Sequence, residues 1–184
     1  EPAVDLQQLA ELKKRAEDRR APLPERLQRL EQRDVATWGG GAYSTVRNDL
    51  AAGDAALTER DYQAALARFD ATAGGLDALE KRLPEVLRER LVQAQAAFDA
   101  GRATDAQEKY SAALKLAPDD ATAKSGLARS RVLDDVLRET AAGARAEQAG
   151  DSKEAIAAYT RALKLDPATP TGESAMAWFW HIGQ

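Results

Sequence analysis

Apolar residues recur at three- and four-residue intervals along most of the chain, the spacing of one helix face. Leu6, Leu9, Leu12 and Ala16 fall near one side of a helix predicted from Asp5 to about Arg20, with Asp5 and Gln8 at capping-box spacing. Pro22 and Pro24 end it, because proline has no N–H to give to a helix interior. A second helix is predicted from Pro24 to about Thr37, with Leu23, Leu27 and Leu30 apolar. Gly39-Gly40-Gly41 then interrupts the pattern. Residues 39–44 read as a linker that closes off an N-terminal helical hairpin, residues 1–38.

Beyond this point the pattern repeats. The stretches AALTERDYQAALARF (55–69), AAFDAGRATDAQEKY (96–110) and ARAEQAGDSKEAIAAY (144–159) align, placing Ala65, Ala106 and Ala155 together. Phe69, Tyr110 and Tyr159 coincide as well, at offsets of 41 and then 49 residues. The second and third stretches continue alike, as SAALKLAP and TRALKLDP. Each reads as helix, tight turn, helix, with turns at Arg60-Asp61, Gly101-Arg102 and Gly150-Asp151. Thr104 with Gln107 and Asp151 with Glu154 have capping-box spacing at the start of the second helices, and Pro118 and Pro167 stop them. Asp119-Asp120 reads as a further helix start, where carboxylates accept orphan N–H groups.

This pattern resembles the tetratricopeptide repeat, a helix–turn–helix unit of about 34 residues. The resemblance rests on small residues of the first helix (Gly53, Ala94, Gly143) and alanines of the second (Ala65, Ala106, Ala155). It rests also on an aromatic (Phe69, Tyr110, Tyr159) and, in the last two units, on Ala113 with Pro118 and Ala162 with Pro167. In the first unit Thr72 replaces the alanine, and Gly74-Gly75 stands where the exit turn would be. The resemblance covers roughly residues 46–167 and implies an all-α fold, an α-solenoid of helix–turn–helix repeats at 45–75, 84–118 and 134–167. The physical content is simple: small residues let two helices approach, and the aromatic fills the space beside them. The wide spacing predicts first helices lengthened by about two and about four turns. Asp120–Ala149 is then one long helix; the alternative is a break near Asp134-Asp135 that makes an extra one.

In the family, first helices line a groove that takes a partner peptide or helix. Carried over, the resemblance implies a lining of Arg47, Leu50, Asp54, Arg88, Leu91, Gln95, Asp99, Thr140, Ala144 and Glu147, with Phe98 ambiguous between groove and core. Members that clamp a C-terminal carboxylate use Lys, Asn and further basic residues where this chain has Leu50, Asp54, Val92, Leu137 and Ala141. That ligand is therefore not expected.

Composition supports the helical reading. Of 184 residues, 40 are alanine and 21 leucine, against only 9 isoleucine and valine together. With 26 basic and 30 acidic residues interspersed, no basic face favours nucleic acid. No apolar run is long enough to span a membrane. The absence of cysteine removes disulfides and Cys-based zinc sites. There is no phosphate-cradling glycine–lysine loop, GxSxG or HExxH, and His181 is the single histidine. Adjacent acids such as Asp134-Asp135 point about 100° apart on a helix and do not converge on a cation. No catalytic residue, cofactor or metal is expected.

After Glu173 the chain turns apolar, and residues 168–184 form a tail with Trp178, Phe179 and Trp180 as a candidate anchor. Such a tail could cap the third unit, or join a partner or a second copy. The expected function is a non-catalytic protein–protein interaction scaffold or adaptor. The alternative is a docking or regulatory segment of a larger enzyme. A start at Glu1-Pro2 without methionine, with the alanine- and arginine-rich composition, points toward a periplasmic or envelope setting, such as bacterial secretion machinery, ahead of the alternative, a cytoplasmic one.

Overall fold

A computed structural model describes residues 2–169, with side chains from Leu6 onward. The helices are α1 (Pro2–Arg20), α2 (Leu23–Glu31), α3 (Val35–Trp38), α4 (Gly40–Thr58), α5 (Tyr62–Asp99), α6 (Ala103–Leu116), α7 (Ala121–Gln148) and α8 (Ser152–Leu165). No strand occurs among the described residues. The fold is all-α, an α-helical repeat. None of the described helices is long and apolar enough to cross a membrane. The chain divides into two compact bodies, Glu1–Val86 and Leu87–Gln184, with α5 contributing to both.

In the first body, α1 begins at Pro2, so Asp5 lies inside the helix and is not its cap. Ala16 is buried, whereas Leu6 is 67% and Leu9 46% exposed. The predicted second helix is broken. Asp34 adopts a left-handed φ of 57° between α2 and α3, and the Trp38 indole N–H donates to Arg33 O at 2.9 Å across the break. Gly39-Gly40-Gly41 is not a linker: α3 ends at Trp38 and α4 starts at Gly40, whose φ of 54° makes a sharp joint. Nor do residues 1–38 stand apart as a domain. Arg19 pairs with Asp70 (2.6 Å), Arg20 with Asp54 (2.6 Å), and Arg26 with Asp77 and Glu80 (2.5 and 2.7 Å).

The largest departure from expectation is α5. Neither Gly74-Gly75 nor Pro84 ends it, and it runs unbroken for 38 residues. Gly75 serves close packing instead of a turn: a Cβ there would lie 2.5 Å from Val46 Cγ2. The first repeat thus has no exit turn of its own.

In the second body, α7 settles the question of the long spacing. It is one helix of 28 residues with no break at Asp134-Asp135. It packs against both α6 and α8. The first half of α7 meets α6 through Ala123 and Gly126; the second half meets α8 through Gly143. The extra turns give one helix two successive partners. Asp120 caps it as expected, accepting from Ala123 N at 2.7 Å.

Candidate protein-binding surface

Three turns of matching geometry set out the repeats. Arg60, Gly101 and Gly150 take left-handed φ values of 65°, 68° and 77°. The next amide reaches back to close the preceding helix: Asp61 N to Ala56 O, Arg102 N to Ala97 O, and Asp151 N to Ala146 O, each 2.9 Å. Asp61 and Asp151 cap the following helices by accepting from Ala64 N and Glu154 N, both at 3.0 Å. In the second repeat Arg102 holds that place without a side-chain cap, so Thr104 is inside α6 and its predicted capping role fails.

Each repeat's aromatic lies on a glycine. Phe69 faces Gly53, Tyr110 faces Gly126 and Tyr159 faces Gly143, where an added Cβ would approach ring atoms to 2.5, 2.2 and 2.6 Å. Gly126 belongs to the helix after Tyr110's own hairpin, a contact that the repeat register alone does not single out. Both tyrosines carry a polar tip. Tyr110 OH donates to Gln95 Oε1 and Tyr159 OH to Glu147 Oε2, each at 2.8 Å.

Burial raises the Tyr159 pKa, and the Glu147 carboxylate raises it further, to about 12 from an ordinary 10.0. Tyr110 is also raised, first by burial and then by the charge of Asp99. Both remain donors at neutral pH. Because the folded state holds the Tyr159 proton more tightly than the unfolded chain, this contribution is complete below pH 10 and is lost as pH rises toward 12. In an ultraviolet titration, Tyr159→Phe is expected to remove a phenol that ionises near pH 12.

The expected groove residues fall in two sets. Arg47, Leu50 and Asp54 lie on α4 in the first body. Arg47 is exposed, Leu50 is half-buried, and Asp54 is held by both Nε and an η nitrogen of Arg20, so its acid is already engaged. The others lie in the second body. Leu91 is half-buried against the core, Arg88 is exposed and takes part in polar contacts of its own, and Phe98 is core at 4% exposure. Gln95 and Asp99 are exposed and joined, Gln95 Nε2 donating to Asp99 Oδ1 at 2.7 Å. Thr140 is not groove lining: it is fully buried, its hydroxyl donating to Val136 O of its own helix at 2.7 Å. The reason is register, since the face of α7 that carries Thr140 also carries the buried Leu133, Val136 and Gly143. Ala144 is half-buried, and Glu147 is exposed beside Tyr159.

Beside Gln95 and Tyr110 the structure opens a cavity of about 350 Å³, whose far wall is α7: Thr122, Ser125, Gly126 and Arg129. Sequence reasoning missed these α7 residues. Arg129 is fixed there by stacking over Phe98 (4.6 Å to the ring centre) and by Nε donating to Asp166 Oδ2 at 2.8 Å. Hydroxyls, an amide and a guanidinium so placed can pair with the backbone and polar side chains of a polypeptide. Among the described residues, no three His, Cys, Asp or Glu side chains cluster as a metal site would need.

A family model described as tetratricopeptide repeat matches residues 91–132 and 140–181. Over these two stretches the chain carries tetratricopeptide repeats. Each match takes in the last turns of a first helix, its partner and the stretch after it, and the two are offset by the same 49 residues as Tyr110 and Tyr159. Neither the curated proteins nor the solved structures contain a match. Tetratricopeptide repeats generally mediate protein–protein interaction, which supports a scaffold or adaptor role, and such a helical-repeat fold is typically non-catalytic.

Proposed function

We propose that this chain is a non-catalytic scaffold that binds a segment of a partner protein in the cavity between the end of α5 and the first half of α7. The observation that supports it most is the lining: Gln95, Tyr110, Thr122, Ser125 and Arg129 present donors and acceptors around one open space. Leu91 and Asp99 flank it on α5, and the remaining groove positions, Arg47, Leu50, Arg88, Ala144 and Glu147, are secondary candidates. The partner segment is extended or helical and contributes its own polar groups. We place the partner search first in the bacterial envelope, on the alanine- and arginine-rich composition.

The test begins with affinity capture by the unmodified chain and identification of the protein retained. Ser125→Arg is then expected to reduce its retention at least tenfold, since the new side chain fills the cavity. Lys115→Glu, an exposed change on α6, is expected to leave retention within twofold. Equal retention by Ser125→Arg would move the site elsewhere.

A further inference from the structure

The turns that end α6 and α8 share one backbone and differ in one side chain. Ala117 and Asp166, which close the two helices, have φ of −140° and −139°. Each donates its amide to an alanine carbonyl one turn back, Ala113 O and Ala162 O, at 3.0 Å. Each carbonyl then accepts from the amide three residues on, Asp120 N at 3.1 Å and Thr169 N at 3.0 Å. Thr169 is the last described residue, so the stretch 170–184, with the candidate anchor Trp178-Phe179-Trp180, lies outside the described residues. Alanine makes the first turn without a carboxylate, so the turn itself does not require one at Asp166.

The Asp166 carboxylate is nonetheless buried, at 6% exposure, where a charge needs partners. Its Oδ1 accepts from Ala168 N at 3.1 Å, and its Oδ2 accepts from Arg129 Nε at 2.8 Å. The second bond reaches from the end of α8 to the first half of α7. Phe98 takes the flat side of the same guanidinium, its ring centre 4.6 Å from Arg129 Cζ. A long cationic side chain is thus held at Nε and on one face, while its η nitrogens have no partner among the described residues.

Arg129 lines the cavity beside Tyr110. Other polar groups there are already engaged: Gln95 gives Nε2 to Asp99 and accepts Tyr110 OH on Oε1. The hydroxyls of Thr122 and Ser125 stay without a partner among the described residues. Two carboxylates stand about the one cation: Asp166 is bonded to it, and Asp99 is close enough for its charge to raise the Tyr110 pKa. A further carboxylate would meet net negative charge here, whereas a carbonyl oxygen would meet donors.

We propose that Asp166 is a positioning residue for the partner site: it fixes and neutralises Arg129, whose η nitrogens then take main-chain carbonyl oxygens of the bound segment. The inference rests on the reading of that cavity as the partner site. It leaves the site incomplete without the end of α8. An arginine fixed beforehand gives up little rotamer freedom on binding, and that is what the pairing contributes.

Two readouts on the full chain test it. The first needs no partner. The Nε–H resonance of Arg129, identified by its absence from the spectrum of Arg129→Met, is expected to exchange slowly with water. In Asp166→Ala, a change that the turn at Ala117 shows the backbone to accept, it is expected to exchange at least tenfold faster. Equal exchange in the two chains would overturn the proposal.

The second uses as probe the protein that the unmodified chain retains. Asp166→Ala is expected to weaken its binding by about threefold to tenfold, the cost of ordering one long side chain. Arg129→Met keeps a stem over Phe98 but no donor, and in that background Asp166→Ala is expected to weaken binding no further. Undiminished binding by Asp166→Ala, or the same added loss in the Arg129→Met background, would overturn the proposal. If Ser125→Arg still reduces retention in that case, the cavity reading survives; if it does not, that reading falls and the proposal with it. In the stretch of the probe that a photoreactive residue at Ser125 labels, changing each Asp and Glu to its amide is expected to leave binding within twofold. A tenfold loss from one such change would put a partner carboxylate on Arg129 and overturn the assignment to main-chain carbonyls.

Discussion

Tyr110→Ala is expected to destabilise the second body by about 3–5 kcal/mol, the largest effect of any single truncation in that body. The ring is 1% exposed, and Ala94, Ala97, Ala106 and Ala113 around it are too small to close over the space it leaves. Its loss also strips Gln95 of a hydrogen bond and removes the surface on which Gly126 rests. Tyr110→Phe keeps the ring and gives up only the hydroxyl, so it should cost about 0.5–1.5 kcal/mol. Denaturant unfolding of the two variants beside the parent chain checks both. Similar costs for the two substitutions would mean that the hydrogen bond, and not the ring, holds the helices together.

The second prediction sets one substitution against itself. Gly126→Ala is expected to destabilise by about 1–3 kcal/mol, although alanine is the better helix former. The new Cβ would lie 2.2 Å from Tyr110 Cζ, and the ring is enclosed on its other sides. Gly74→Ala, in the interior of α5, meets nothing within 4 Å and faces solvent. There only the propensity and unfolded-state terms operate, and a gain of about 0.5–1 kcal/mol is expected. Opposite signs in chemical denaturation would separate a glycine kept for close approach from one that packs against nothing. A gain at both positions would show that α6 and α7 are less tightly apposed than the contact at Tyr110 requires.

These two glycines also mark where the sequence could be read and where it could not. The three inter-helix turns were legible because each places glycine, or an arginine followed by aspartate, at a left-handed position just past an apolar helix face. The long α7 was legible because no proline interrupts it and Asp120 supplies a cap. Gly39-Gly40-Gly41 and Gly74-Gly75 misled for a common reason. Glycine relaxes the backbone, but it also removes a side chain where helices cross, and one sequence cannot distinguish the two uses. Val46, which decides the matter at Gly75, is 29 residues away in the chain.

The candidate site was legible in part. Gln95 and Asp99 were found because the repeat register points them outward, and Tyr110 was placed as a packing aromatic without its polar tip being foreseen. Thr122, Ser125 and Arg129 were missed because they belong to the first half of α7, the extra turns that the standard repeat length does not contain. Thr140 was misplaced for another reason: one turn before Gly143, it shares the buried face of α7 with Leu133 and Val136. Pairings such as Arg129 with Asp166, or Arg20 with Asp54, depend on the packed fold and leave no local signal.

The central claim is that a partner protein enters the cavity lined by Gln95, Tyr110, Thr122, Ser125 and Arg129. The most direct test is site-specific photo-crosslinking in the native cells, with a photoreactive residue at Ser125 and, separately, at Glu108, an exposed position on α6 outside the cavity lining. A discrete adduct to one protein from Ser125, at least five times stronger than any from Glu108, is the expected result. No adduct from Ser125, or an equal one from Glu108, would contradict it.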